Sequence, residues 1–371
     1  MGKGYQEQET LRKWGNSTPR GIRAGDHDGD SHIMNQERLA RLRRIIEKKK
    51  KVLILAHNNP DPDAIAAGWA LSYLFREKLG VSSVFVYGGI ITRAENRAMV
   101  RLLNIGIKPL EMINIHNFSV VALVETQPGA GNNNLPASII PAIVIDHHAL
   151  RKASQEVEFT DIRPDYGSCS TILTEYLIQA DLPIKKKMAT ALYYGIKSDT
   201  QDLGRDTTEA DHRATIHLYP KMQPRLLSQI EHPELSRNYF TLFDQALHDA
   251  VIFGDVILCD LGFLVNPDMV PLMADFLLRV LGVRWSFVMG TFNSRVIFSL
   301  RTKRRHQNAG LMARRIVKGL GSAGGHGMIA GGQILTKGLA EEKQERLCKT
   351  LKTRFLKTVG RENAKQERLI E

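Results

Sequence analysis

The sequence predicts an α/β protein in which a doubly wound, mainly parallel sheet is followed by a smaller α+β unit. Three observations predict it. Short continuous apolar runs alternate with helical patterns up to about Asp199, and the rhythm changes after Ala250. The chain has 371 residues, 43% hydrophobic and 24% charged, which is material for two cores and argues against disorder or a disulfide-stapled mini-domain.

Residues 1–34 carry Gly, Ser, Thr and Asp without apolar period and read as an unstructured extension or leader. From Asn35 to Lys51 the text reads as an amphipathic helix, with Leu39, Leu42, Ile45 and Ile46 on one stripe and a basic face opposite. Residues 1–51 hold 13 Lys/Arg against 7 Asp/Glu, half of the net excess of +12, so residues 35–51 read first as a solvated lead-in helix and second as a surface for weak RNA contact. Val52–Ala56, Val84–Tyr87, Ser119–Val124 and Ala142–Ile145 read as buried strands, with Ala64–Lys78 and Arg93–Leu103 as helices between them. The first domain spans 35–205 and a helical linker 206–233.

The second domain is placed at 234–340. Val251–Leu258 reads as a strand, Met269–Leu281 as a helix, and Phe287–Phe292 with Val296–Leu300 as a hairpin turning at Asn293–Arg295. The helix Asn308–Lys318 leads into a glycine-rich loop at 319–332, and 341–371 reads as a mixed-charge helical segment. The longest apolar runs are broken by Asp255, Asp260, Asp275 and Arg279, so no membrane helix is expected. No secretory signal is recognised, and a cytoplasmic location is expected. Cys169, Cys259 and Cys348 have neither zinc-site nor disulfide spacing.

Four clusters carry chemistry. His57, Asp61 and Asp63 follow the first strand in a loop stiffened by Pro60 and Pro62, and Asp63 is placed to cap the helix starting at Ala64. Glu125 emerges from the strand ending at Val124. Asp146, His147 and His148 follow the strand ending at Ile145. Asp199 enters a polar loop in which Asp202 and Asp206 compete for the same role. In open parallel sheets ligands bind beyond the carboxyl ends of the strands, where the topology delivers these groups. Carboxylates with some imidazole suit Mn²⁺ or Mg²⁺ better than a thiolate site, and the number of donors allows two ions.

Taken together, these residues resemble the DHH/DHHA1 phosphoesterases, a family named for the motif standing here as Asp146-His147-His148. The similarity covers roughly residues 50–336, with four N-terminal motifs and the GGH loop, Gly324-Gly325-His326-Gly327, in the family's order. The chain looks most like the small members that degrade nano-RNA, 3′-phosphoadenosine 5′-phosphate or dinucleotides. The resemblance implies that His57 and Asp61 hold one Mn²⁺ and that Asp63, His147 and Asp199 hold the other. Asp146 then orients a histidine, and His148 faces the scissile phosphate. The resemblance also implies that the site lies in a cleft between the two domains, with Arg301 and the GGH loop as its substrate-binding half, and a homodimer is common in the family.

The sequence departs from the family at Glu125, where an Asp bridges the two metals. Glu is one methylene longer, so bridging requires the backbone or the metals to shift. Two functions follow. One is a metal-dependent phosphodiesterase or phosphatase acting on short oligonucleotides or dinucleotides. The alternative is a nucleotide-binding regulatory protein with weak or no hydrolysis. Relatives with pyrophosphatase chemistry carry a different C-terminal domain, and the GGH loop argues against that activity here.

Overall fold

The computed structural model describes residues 27–370 apart from 48, 50, 92 and 305; the side chains of residues 27–36 and of His326 also lie outside the description. The first 26 residues of the expected extension therefore lie outside the described residues. Residues 27–34 differ from expectation, because α1 spans His27–Ile46. Its apolar stripe is used: Leu42 and Ile46 are fully buried. Part of its basic face is also used in packing, since the Arg41 guanidinium lies 5.5 Å from the Phe159 ring centroid and donates to the Glu158 carbonyl.

The first sheet contains β1 (Lys51–Ala56), β2 (Ser82–Tyr87), β3 (Ile107–Pro109), β4 (Val120–Val124), β5 (Ile143–Asp146) and β6 (Phe159–Ile162). All pairings are parallel, in the order β3-β2-β1-β4-β5-β6. The connection reverses direction between β1 and β4, which creates the crevice typical of a doubly wound sheet. Alternate side chains of β1 serve two cores, Val52 and Ile54 on one face and Leu53 and Leu55 on the other, so the strand reads as a continuous apolar run. The short β3 and β6 have too few apolar residues to stand out in the sequence.

Helices α2 (Pro62–Leu79), α3 (Ala94–Leu103), α4 (Cys169–Gln179) and α5 (Lys186–Asp199) pack on the first of these faces. Proline at the start of α2 and left-handed Gly80 after its end delimit it as chain chemistry demands. The cap of α2 is Asp61, whose Oδ1 accepts from Ala64 N–H at 2.9 Å, in place of the expected Asp63. The helix begins two residues earlier than expected, at Pro62, which releases Asp63 from capping. In the expected linker, α6 (Glu209–Leu218) and α7 (Pro224–Glu231) bury Ala214, Leu218, Leu227 and Ile230 in the first core.

The second sheet is mixed, in the order β11-β12-β10-β9-β8-β7-β13. Before it, α8 (Arg237–Asp249) packs on one face with α9 (Met269–Leu277). The expected strand at Val251–Leu258 is two strands, β7 (Val251–Phe253) and β8 (Val256–Phe263), because Gly254 at φ 63° turns the chain. β9 (Trp285–Phe292) and β10 (Arg295–Thr302) form the expected hairpin, with Asn293 and Ser294 both left-handed at φ 45° and 56°. α10 (Ala309–Ile316) follows.

The glycine-rich stretch is a hairpin rather than a loop, β11 (Ser322–His326) and β12 (Ile329–Leu335). Its glycines disguise strands because they lack β propensity. The C-terminal segment also joins this unit. α11 (Glu341–Thr358) buries Leu351 and Phe355 against Trp285 and Phe287, and β13 (Gln366–Arg368) pairs with β7. Among the described residues no helix is long and apolar enough to cross a membrane.

Candidate metal centre

Strand register assembles the centre. Ala56 pairs with Val124 and Val124 with Ile145, so His57, Glu125 and Asp146-His147 leave three neighbouring strand ends about 5 Å apart. Asp61 and Asp63 come from the start of α2, and Asp199 from the end of α5. The loop between β1 and α2 is pinned by Asn58 N–H to the Asn132 carbonyl, Asn59 N–H to the Gly88 carbonyl, and Asn96 Nδ2 to the Pro60 carbonyl.

Three groups of ligating atoms result, each within 4.8 Å of one another: His57, Asp61 and Glu125; Asp63, Glu125, His147 and Asp199; and Glu125, His147 and His148. Glu125 belongs to all three. Its Oε2 lies 2.8 Å from His57 Nε2, and its Oε1 lies 3.4 Å from His147 Nε2. The longer side chain is accommodated by a left-handed backbone, φ 57°, a conformation that non-glycine residues adopt at a cost.

The histidines are set for cation binding. His147 Nδ1 donates to the Tyr166 carbonyl at 3.1 Å, and His57 Nδ1 to the Asn58 carbonyl at 2.9 Å, so each Nε2 turns a lone pair to the carboxylates. His147 Nε2 is buried and has no hydrogen-bond partner, although Asp199 Oδ2 stands 3.2 Å away. In the neutral imidazole two acceptors face each other there, an arrangement that a divalent cation, or in its place a proton, satisfies. Asp63 is fully buried, and its two oxygens accept the Cys169 and Ser170 amides at the start of α4, both at 2.7 Å. Each oxygen keeps a second lone pair.

Charge crowding points the same way. Burial, followed by the Asp61 and Glu125 charges, pushes the Asp199 carboxyl up to about 6 despite the neighbouring His147. Burial and the Asp199 charge hold Asp63 well above the usual carboxylate range. Burial works against the charged imidazoles, yet Glu125 with Asp61 raises His57, and Asp199 with Glu125 raises His147. The site gathers protons in place of positive charge. Its donor set of carboxylates and imidazoles fits Mn²⁺ or Mg²⁺.

Asp146 and His148 are joined differently. His148 Nδ1 donates to Asp146 Oδ1 at 3.0 Å, and the same oxygen accepts the His147 amide at 2.8 Å. Gln127, which the sequence reading missed, donates Nε2 to Asp146 Oδ2 at 2.7 Å, while its own Oε1 accepts from Arg151 N–H and Ser154 Oγ. Its only signal was its place two residues after Glu125. Tyr166 and Asn58 act through carbonyl oxygens and had no signal. Asp202 and Asp206 are exposed, and Asp206 faces Arg205. Cys169 is buried with its thiol raised well above normal by burial and then by Asp63, so it stays protonated.

The second unit's expected residues have local partners. Arg301 donates Nε to Asp275 Oδ1 at 2.6 Å and Nη1 to the Leu300 and Ala330 carbonyls, all within its own unit. Gly325, at φ 143°, is required by packing: a Cβ there would lie 2.3 Å from the Ile329 carbonyl oxygen. Gly324 and Gly327 are exposed at the same hairpin, and the side chain of His326 lies outside the described residues. A cavity of about 370 Å³ opens between the two units, with Arg93 and Arg97 on one wall and Tyr239, Leu242, Phe263 and Val265 on the other. Burial works against the charged Asp61 carboxyl, but His57, the Ala64 amide and then the Arg93 charge hold it well below its usual range, which brings this cavity near the centre.

Residues 51–196 match the DHH family, N-terminal domain, and residues 251–357 match the DHHA1 domain. The chain belongs to the DHH family. The members of this family are phosphoesterases. An uncharacterized protein of Methanocaldococcus jannaschii is 37% identical over 290 residues, covering 78% of this chain and 59% of that protein. A probable manganese-dependent inorganic pyrophosphatase of Lactiplantibacillus plantarum is 25% identical over 166 residues, 45% of this chain and 53% of its own. The chain thus spans little more than half the length of these curated relatives. An exopolyphosphatase-related protein from Bacteroides fragilis shares the fold with a TM-score of 0.68 at 16% identity, over 87% of this chain and 98% of the other. RecJ from Thermus thermophilus, solved with Mn²⁺, aligns with a TM-score of 0.50 at 13% identity over 86% of this chain and 54% of its own.

Proposed function

We propose that this DHH-family chain is a metal-dependent phosphodiesterase or phosphatase that hydrolyses short oligonucleotides or dinucleotides. The buried, unpartnered Nε2 of His147, facing Glu125 and Asp199 while Tyr166 fixes its tautomer, carries the reading. His57, Asp61 and Glu125 would hold one divalent ion, and Asp63, His147, Asp199 and Glu125 a second, with Mn²⁺ expected and Mg²⁺ an option. Such ions, when bound, supply the charge that acidifies a water and neutralises a phosphoryl group.

The chain's own residues do the rest. Asp146 holds the His148 Nδ1 proton, leaving Nε2 as the nitrogen that exchanges a proton with a leaving oxygen. Gln127 holds Asp146 in turn. The interunit cavity suits a short ligand: Arg93 and Arg97, which share the lining with Glu95, Glu234 and Asp268, reach for phosphate, and Tyr239 and Phe263 offer faces for a base. Among the described residues, Arg301, Gly324, Gly325 and Gly327 do not line this cavity; their assignment to the binding half, with that of His326, rests on the family match of residues 251–357. The second domain, matched at residues 251–357, favours nucleotide substrates over pyrophosphate, the substrate named for the L. plantarum relative, whose match covers only 45% of this chain.

Hydrolysis of a 5′-labelled RNA dinucleotide, with and without Mn²⁺, tests the reading beside pyrophosphate, and bound metal is counted in the same samples. Turnover of the dinucleotide with two ions per chain supports it. Nucleotide binding without turnover, reversed by Glu125→Asp, would instead establish the regulatory alternative.

A further inference from the structure

The first unit has a second concave surface at the far end of α5. This helix runs from Lys186 to Asp199, so its last residue stands in the metal centre and its first lies about 20 Å away. There the chain before α5 and the segment leading into α7 enclose a groove of about 820 Å³. Lys185, Lys186, Lys221 and Arg225 line it, with Met222 and Pro224 as apolar floor, and no acidic side chain takes part among the described residues. Some cations elsewhere on this unit meet carboxylates: Arg163 faces Asp161, Lys197 faces Glu231, and Arg213 faces Glu209. Among the described residues none of the four groove cations makes an ion pair; Lys221 donates to His217.

An aromatic platform adjoins the charges. Tyr219 directly precedes the groove residue Pro220, is 60% exposed, and leans on Tyr193 with ring centroids 5.9 Å apart. Ile216, one helical turn earlier, is 73% exposed. Unpaired cations in a concave track beside an exposed ring form the pattern that holds a single-stranded nucleic acid, with phosphates in the groove and a base on the ring. An acidic peptide would use the charges but leave the ring without a role.

We propose that this groove binds the phosphate backbone of a single strand of RNA, remote from the metal centre, with Tyr219 stacking a base. The separation of about 20 Å corresponds to about six stacked nucleotides. Dinucleotides are too short to use both places, and longer strands gain an anchor.

The test is binding of a fluorescein-labelled 12-nucleotide RNA to the full chain in EDTA, read by anisotropy across salt concentrations. Hydrolysis is then absent, so the result is independent of the phosphoesterase reading. Reversing Lys185, Lys186, Lys221 and Arg225 to Glu is expected to weaken binding and to make the salt dependence shallower by about 3 in log–log slope. Reversing Lys343, Arg346, Lys349 and Lys357, exposed on α11, makes the same charge change elsewhere and is expected to leave most of the affinity. Tyr219→Ser is expected to weaken binding about five- to a hundredfold. Equal losses in the two charge-reversed chains, an unchanged slope in the groove variant, or competition by polyglutamate as effective as by RNA would each overturn the proposal.

Discussion

His57 Nε2 and Glu125 Oε2 stand 2.8 Å apart across the β1–β4 seam, each the first residue beyond its strand. The pairing arises at the point where the sheet reverses its winding, and it sets a donor atom from each strand toward one cation position. Glu125→Gln keeps the shape but removes a charge shared by every group of candidate ligands. Metal content, measured by elemental analysis, is expected to fall from the two ions proposed above to one or none, with hydrolysis down at least about a hundredfold.

In the proposed mechanism Asp146 orients His148 and does not bind metal. Asp146→Asn leaves His148 without its carboxylate partner, and the rate of hydrolysis is expected to fall about 10- to 100-fold while metal content stays at the level of the natural chain. Gln127→Leu should repeat the effect more mildly, because Asp146 keeps the His147 amide. Comparing single-turnover rates with metal content separates positioning from ligation.

Gly195 lets α5 approach the centre. A Cβ there would lie 2.2 Å from Ser170 Oγ and 3.2 Å from the Asp63 backbone. Gly195→Ala is expected to cost about 1–3 kcal/mol in urea unfolding and to lower metal affinity by moving Asp63.

Acid sensitivity resides partly away from the centre. Burial raises Asp161, but Arg163, at 2.8 Å, outweighs it and holds the carboxyl below its usual range. A depressed folded-state value gives stability that is complete above the unfolded pKa, about 3.9, and is lost as pH falls through the folded value. Urea unfolding followed from pH 7 downward should show this contribution fading below about pH 4. Asp161→Asn should remove that part of the acid dependence and cost about 3–5 kcal/mol at neutral pH.

The C-terminal helix is a structural part of the second unit. Phe355 is fully buried, with its ring 4.8 Å from that of Phe287. Phe355→Ala is expected to lower stability by about 3–5 kcal/mol in denaturant unfolding, with little change in metal content, since the centre belongs to the other unit.

The sequence by itself determined the layers and the donor atoms. Continuous apolar runs at Val52–Ala56 and Ala142–Ile145 marked buried strands because both faces of the sheet are covered, and polar groups directly after them stood out as candidate ligands. Tertiary structure decided what local pattern does not encode. The Asp61 cap and the release of Asp63 to meet the α4 amides depend on where α4 docks, and that contact spans more than 100 residues of sequence. The pairing of the glycine-rich β11 with β12, and the left-handed Glu125 that reaches both His57 and His147, depend on neighbours supplied by the completed sheets. Periodicity reports which face of an element is buried, whereas carbonyl partners such as Tyr166 and Asn58 use backbone atoms common to every residue type. Their roles emerge only once the chain has folded.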